Sequence, residues 1–325
     1  MSILEEELKA RIAADGPIGL DEFMAAANSH YYGTRDPLGL AGDFITAPEI
    51  SQMFGEIVGA ALSDVWARAG RPADTVYAEL GPGRGTLAAD ALKVMRRAGF
   101  GGAAHFVETS APLRGAVASR VNDAIFHETF EALPPVPVLL VANEFFDALP
   151  VRQWVSGKER CVTYDGARFC FTCHGAINEA SPAREATAIA LGHHLAAHGG
   201  AALIIDYGFA GGEGGDTLQA VRGHAFADPL AHAGEQDLTA HVDFHSLAAA
   251  ARSEGVRISR AVSQGNWLET LGIGARAATL AALNPEQTES IAAARRRLCD
   301  EDAMGRLFKV MGLTAVNWPR IAGLE

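Results

Sequence analysis

The residues with chemistry to offer begin at Glu79, Gly81, Gly83 and Gly85, which fall at alternate positions of VYAELGPGRGTL, directly after a short apolar run. A glycine-rich turn between a strand and a helix leaves backbone amides bare at the positive end of the helix, where a nucleotide-containing ligand can approach closely. Glu108 ends the run FVE, 27 residues after Gly81, in place to accept hydrogen bonds from both hydroxyls of a ribose. Glu128 follows the next apolar run and could receive an adenine amino group; a solvated glutamate after a strand is the plainer alternative. Asn143, Glu144 and Asp147 emerge together in VANEFFDALPVRQW, where a transferred group and its acceptor would meet. Asn and Asp also form turns and cap helices, whereas Glu144 is less easily read as a turn residue.

Spacing selects among the nucleotides. Dinucleotide binders favour G-x-G-x-x-G, and a phosphate-binding Walker loop ends in Gly-Lys-Ser/Thr; neither is present here. The pattern E-x-G-x-G-x-G is that of class I methyltransferases, which bind S-adenosylmethionine. That molecule carries an ammonium, a sulfonium and a carboxylate and no pyrophosphate, so an acid beside the turn is useful. Metal chemistry finds little support. Cys170 and Cys173 form one C-x-x-C where a structural zinc wants four ligands, and His194 and His198 lack the glutamate of H-E-x-x-H, which leaves them as helix-surface histidines.

Such side chains need elements to position them. From Val76 short apolar runs alternate with amphipathic helical patterns: TVYAEL, TLAADALKVMRRAG, AHFVE, SAPLRGAVASRV, AIFHE, PVPVLLVA and AALIIDYG, with VRISRAV and LFKVMGLTAV supplying two late strands. The expected fold class is α/β, a doubly wound and mostly parallel Rossmann-like sheet. Its segments would be 75–150, 200–262 and 305–325. Residues 1–74 read as a helical cap, in which Pro48 opens the one long helical run PEISQMFGEIVGAALSDVWARAG and Thr46 lies near enough to cap it. Glu49, Asp43 and Thr46 share the glycine-rich stretch GDFITAPE, a long loop of the functional kind. Residues 151–185 read as a small antiparallel insert around Ser-Gly-Lys and Asp-Gly turns. Residues 209–245, expected to be mostly loop, and 263–304, expected to be helical, would complete a substrate-side lobe.

Composition limits the function. The 325-residue chain is 49% hydrophobic and 20% charged, which suits a globular protein, and no apolar run approaches the roughly 20 residues of a membrane span. A net charge of −12 without a basic cluster argues against a nucleic-acid partner. Arg295, Arg296 and Arg297 sit in a helical pattern flanked by acids, a solvated face. An acidic start without a basic n-region or an Arg-rich presequence leads to the expectation of a cytoplasmic protein. The apolar N-terminal helices could serve a homodimer.

Five stretches carry a family resemblance: GDFITAPEISQMFGE, ELGPGRGTL, NEFFDALPVRQW, LTAHVDF and FKVMGL. Together, and in order over nearly the whole chain, they resemble the MidA family, which includes the mitochondrial complex I assembly arginine methyltransferase. The resemblance implies methyl transfer from S-adenosylmethionine to an arginine of a respiratory complex I subunit or a related protein. On that reading Glu144, then Asp147, then Glu49 are the candidate catalytic residues. Glu79, Gly81, Gly83, Gly85, Glu108, Glu128, Asn143 and Thr46 are the candidate cofactor residues. A non-catalytic S-adenosylmethionine-binding assembly factor and a small-molecule methyltransferase remain as alternatives; a nicotinamide oxidoreductase fits the glycine spacing less well.

Overall fold

The computed structural model describes residues 2–34, 46–211, 214–223 and 225–324, the side chain of Thr34 excepted. Asp43 therefore lies outside the described residues. Two helices open the chain, α1 (Ile3–Asp15) and α2 (Leu20–Thr34), the first closed at its start by a capping box between Ser2 and Glu5. The single long helix expected from Pro48 is instead two, α3 (Ala47–Ile50) and α4 (Gln52–Arg68). Ser51 separates them: it is extended, with φ −164° and ψ 140°, and its hydroxyl accepts the Met53 N–H as the cap of α4. Thr46 occupies the N-cap position of α3, but its side chain makes no capping hydrogen bond, so that expectation is corrected.

The alternation then unfolds as read: β1 (Val76–Leu80), α5 (Thr86–Arg97), β2 (Ala104–Val107), α6 (Ala111–Arg120), β3 (Ile125–His127) and β4 (Val138–Asn143). The first insert holds β5 (Arg152–Val155), β6 (Lys158–Glu159), β7 (Val162–Tyr164), β8 (Phe169–Phe171) and β9 (Ile177–Ala180), all paired antiparallel. Helix α7 (Pro182–His198) leads to the long β10 (Gly200–Phe209). His194 is not on the surface of that helix; it is buried, with Nε2 3.0 Å from the Val136 carbonyl and its ring edge-on to Phe130. The stretch expected to be loop contains a further, three-stranded antiparallel sheet, β11 (Gln219–Arg222), β12 (Ala225–Ala227) and β13 (Asp237–Thr239). Its strands are only three or four residues long, too short for alternation to show in the sequence. The remaining elements are β14 (Val242–Asp243), α8 (Phe244–Arg252), β15 (Arg257–Ile258), β16 (Val262–Ser263), α9 (Gln264–Thr270), α10 (Ile273–Leu283), α11 (Thr288–Cys299), α12 (Met304–Leu307) and β17 (Phe308–Thr314).

The main sheet runs β3-β2-β1-β4-β10-β17-β15, parallel from β3 to β10 and antiparallel at β17 and β15. The strand order reverses direction at β1, between β2 and β4, and that reversal opens the crevice in which open α/β sheets bind ligands. Both faces are covered, and successive residues serve opposite sides. Tyr77, Leu139, Val141 and Leu203 belong to one hydrophobic centre with α4, α5 and α9–α11, whereas Ala78, Leu140, Ala142 and Ile204 belong to another with α7 and α8. The packing therefore places α4 and the 263–304 helices on the main sheet. A third centre joins α1 and α2 to both inserts through Leu8, Phe23, Met24, Val162, Phe169 and Leu238. No helix of the described residues is long and apolar enough to cross a membrane.

Candidate functional site

Strands β1, β2 and β4 end level with one another, Leu80 pairing with Val107 on one side and Ala142 on the other. Their outgoing turns surround one cavity of about 430 Å³. At one end stands the glycine turn. Gly81, Gly83 and Gly85 all have positive φ, and Gly85 is the left-handed N-cap of α5. A Cβ on Gly81 would sit 3.0 Å from the Phe145 ring, and one on Gly85 3.1 Å from Val117 Cα, so bare backbone is required for packing as well as for conformation.

Glu79 is 3% exposed and accepts the Tyr77 hydroxyl at 2.8 Å. Burial pushes its carboxyl up to about 8, against the opposing pull of that hydrogen bond. Such an acid ionises readily only when a cation arrives. Glu108 at the end of β2 is buried in the cavity wall and accepts the Ser110 N–H at 2.7 Å; burial raises its pKa too. Glu128 also lines the cavity and is exposed.

The other end is built around the loop leaving β4. Asn143 and Glu144 line the cavity, and Glu144 has φ +50°, a strained conformation for a residue with a side chain. Its N–H bonds the Ile205 carbonyl, and its Oε1 accepts the Ala47 N–H at 3.0 Å and Asn143 Nδ2 at 3.3 Å. Burial, together with the neighbouring charges of Asp147 and Asp237, pushes the Glu144 carboxyl up to about 8 despite those hydrogen bonds. The buried Asn143 Oδ1 has no hydrogen-bond partner among the described residues, so the wall offers an unused acceptor. Thr46, Pro48 and Glu49 of the α3 segment complete the wall, and Thr86 at the start of α5 donates its hydroxyl to Glu49.

Asp147 is 5% exposed and is not among the lining residues. It belongs to a deeper acidic group with Asp206 and Asp237: burial raises the carboxyls of Asp147 and Asp206, and all three neighbour Tyr207. Asp206 on β10, one residue past the stretch that pairs with β4, is fully buried and its Oδ2 receives the N–H groups of Phe146 and Asp147 at 3.0 and 3.2 Å. Arg184 on α7 bonds four carbonyls, those of Phe146, Asp147, Ala240 and His241. Those bonds fix the backbone that carries Glu144 and Asp147.

The structure thus brings Glu79, Gly81, Gly83, Glu108, Glu128, Asn143, Glu144, Thr46 and Glu49 to one cavity, places Gly85 at its edge, and sets Asp147 behind the wall. Sequence reasoning missed Tyr32, Asp206 and Asp237. Asp206 had a signal, since it follows the apolar run AALII at the point where parallel pairing with β4 stops. Tyr32 and Asp237 had none: 205 residues apart, they meet through a 2.7 Å hydrogen bond from the tyrosine hydroxyl. Among the described residues no group of three or more His, Cys, Asp and Glu could hold a metal.

This sheet, with its ligand crevice at β1 and its glycine turn, is that of a Rossmann-like methyltransferase of class I. Residues 57–177 and 167–262 match the model of a family described as putative S-adenosyl-L-methionine-dependent methyltransferase. The chain is 36% identical to the protein arginine methyltransferase NDUFAF7 homolog, mitochondrial, of Drosophila melanogaster over 95% of this chain and 84% of that one. It is 30% identical to protein arginine methyltransferase NDUFAF7, mitochondrial, of Homo sapiens over 83% and 73% respectively. A crystal structure of a methyltransferase candidate from Burkholderia thailandensis bound to S-adenosylhomocysteine superposes with a TM-score of 0.83 at 25% identity, covering 97% of this chain and 93% of that one. The chain belongs to this family of S-adenosylmethionine-dependent methyltransferases, and S-adenosylmethionine is its cofactor. The residues present fit it: the unused Asn143 acceptor and the buried Glu79 carboxyl suit a ligand with an ammonium and hydroxyl groups.

Proposed function

We propose that this protein moves the sulfonium methyl of S-adenosylmethionine to an arginine guanidinium of a protein, a respiratory complex I subunit or a related one. The observation that carries the reading is the continuity of one cavity from the glycine turn to Glu144, with buried Asp147, Asp206 and Asp237 behind it. The names of the fly and human relatives support the arginine acceptor.

The bound cofactor supplies an already activated methyl, so the chain's work is alignment and charge. In this reading Glu79 pairs with the ammonium, Glu108 with the ribose hydroxyls and Glu128 with the adenine amino group. Asn143 and Thr46 line the reactive centre. At the acceptor end, a guanidinium resists deprotonation and its lone pairs are delocalised. Glu144 grips it, draws positive charge onto the nitrogens that do not react, and takes up the released proton. A carboxyl held near 8 is neutral in the empty site at pH 7 and ionises once the cation is beside it. Asp147 acts through the loop and through the charge of Glu144. Glu49, held by Thr86, keeps α3 over the glycine turn.

The test is incubation with methyl-labelled S-adenosylmethionine and the complex I subunits of the host, followed by mapping of the label. Label on arginine is the expected result. Label on another residue, or none, sinks the acceptor assignment.

A further inference from the structure

Behind Glu144, Asp147, Asp206 and Asp237 are gathered into one buried acidic group. Arg184 is the cation that faces Asp147, Asp206 and Glu179, and its bonds run to four main-chain carbonyls rather than to any of those carboxylates. Asp147 is buried, and its Oδ1 has no hydrogen-bond partner among the described residues. An unpaired buried carboxylate oxygen is a costly feature unless a ligand completes it.

The route from the cavity to this group is Tyr32. Tyr32 lines the cavity together with Glu144 and Ala148, and its hydroxyl donates to Asp237 Oδ1 at 2.7 Å. Asn28, one turn earlier on α2, fixes that arrangement: its amide nitrogen bonds the carbonyls of Ala148 and Leu238 at 3.0 and 2.8 Å, and its oxygen accepts the Leu238 N–H at 3.1 Å. Helix α2, the loop after β4 and strand β13 are thereby locked edge to edge, and Tyr32 stands where they meet.

We propose that Tyr32, backed by Asp237, forms with Glu144 the two-armed subsite that recognises the acceptor as a guanidinium. This rests on the arginine-methylation reading and adds the residues that would select the cation. A planar, weakly hydrated guanidinium lies against an aromatic ring while its in-plane N–H groups reach carboxylates, an arrangement a compact ammonium satisfies less well. Tyr32 supplies the ring in the cavity wall and a hydroxyl oxygen made more negative by its bond to Asp237. Glu144 supplies the carboxylate on the other side, and Asp147 adds charge from behind. One arm comes from α2 and is backed by β13 of the second insert, the other from the loop after β4, so elements outside the main sheet would share in acceptor choice.

The experiment is equilibrium binding of N-acetylarginine methylamide, and of its lysine counterpart, to the whole protein saturated with S-adenosylhomocysteine. Wild type is expected to bind the arginine probe at roughly millimolar affinity and the lysine probe at least about fivefold more weakly. Asp237→Asn and Tyr32→Phe, both nearly isosteric, should each weaken the arginine probe roughly tenfold, the first by removing the charge behind the tyrosine hydroxyl and the second by removing the hydroxyl itself. The thermal shift given by S-adenosylhomocysteine reports folding and the cofactor end, and should stay within the wild-type range. No binding of the arginine probe by wild type, equal binding of the two probes, or full affinity in both variants overturns the subsite. The two readings separate cleanly. Dyad-dependent binding with label on a residue other than arginine removes the methylation reading and keeps the subsite; arginine labelling with unchanged KM in both variants does the reverse.

Discussion

The two ends of the cavity are built in different ways. The cofactor end is the more local: Glu79, Gly81, Gly83 and Gly85 lie within seven consecutive residues, and Glu108 and Glu128 follow the next two strands of the same alternation. The acceptor end is assembled from α2, α3, the loop after β4, α7, the end of β10 and β13, and its hydrogen bonds span up to 210 residues. Backbone amides can be supplied by one turn. The buried acidic cluster is not: the loop after β4 supplies Glu144 and Asp147, β10 supplies Asp206 and β13 supplies Asp237. The difference shows how one fold keeps a fixed cofactor site while its acceptor chemistry depends on peripheral elements.

If the ends have separable tasks, variants at each should fail differently. Glu144→Gln carries the largest effect: turnover should fall by roughly 10²–10⁴-fold, the range for a lost acid–base group, while S-adenosylhomocysteine affinity changes little. Retained turnover removes Glu144 from the mechanism. Glu79→Gln should lower cofactor affinity about tenfold or more, as expected for losing one charged partner, and leave turnover at saturating cofactor close to wild type. Calorimetric titration beside a saturation curve reads both quantities.

Acidity offers a third way to probe both ends at once. Glu79 and Glu144 have carboxyls raised from 4.5 to about 8, so between those values the folded free protein holds protons that the unfolded chain has lost. Stability is therefore present below about 4.5 and is lost as pH rises through 8. The melting temperature of the free protein should decline from pH 5 to pH 8, with a shallower decline in Glu144→Gln. An equal slope in that variant would show that Glu144 ionises freely in the fold. The smallest effect belongs to a site remote from the charge cluster. Ser51→Ala removes the α4 cap and should lower stability by about 1 kcal/mol in denaturant titration, with cofactor affinity unchanged. A large loss of affinity would mean that the α3–α4 break positions the cavity wall more tightly than Glu49 and Thr86 imply.

The same contrast explains what could be read from the residues alone. The parallel strands, the glycine turn and the acids at Glu79 and Glu108 were legible because apolar runs and glycine spacing report local geometry. The break at Ser51 was not, since Ile50 and Phe54 keep a helical apolar spacing across it and only the backbone angle at Ser51 shows the interruption. Strands β11–β13 were hidden by their shortness and by turn residues around them. His194 reads as exposed on a helix until the Val136 carbonyl is placed above it. Asp147, read as a direct participant, is carried behind the cavity wall because Asp206 and Arg184 pin its backbone.

The most direct test of a single cavity with two separable ends is a paired measurement on Glu79→Gln and Glu144→Gln, each assayed for S-adenosylhomocysteine affinity and for methyl transfer to arginine. The account predicts a crossed outcome, in which Glu79→Gln loses affinity and keeps transfer at saturation, while Glu144→Gln keeps affinity and loses transfer. Parallel loss of both properties in both variants would contradict it.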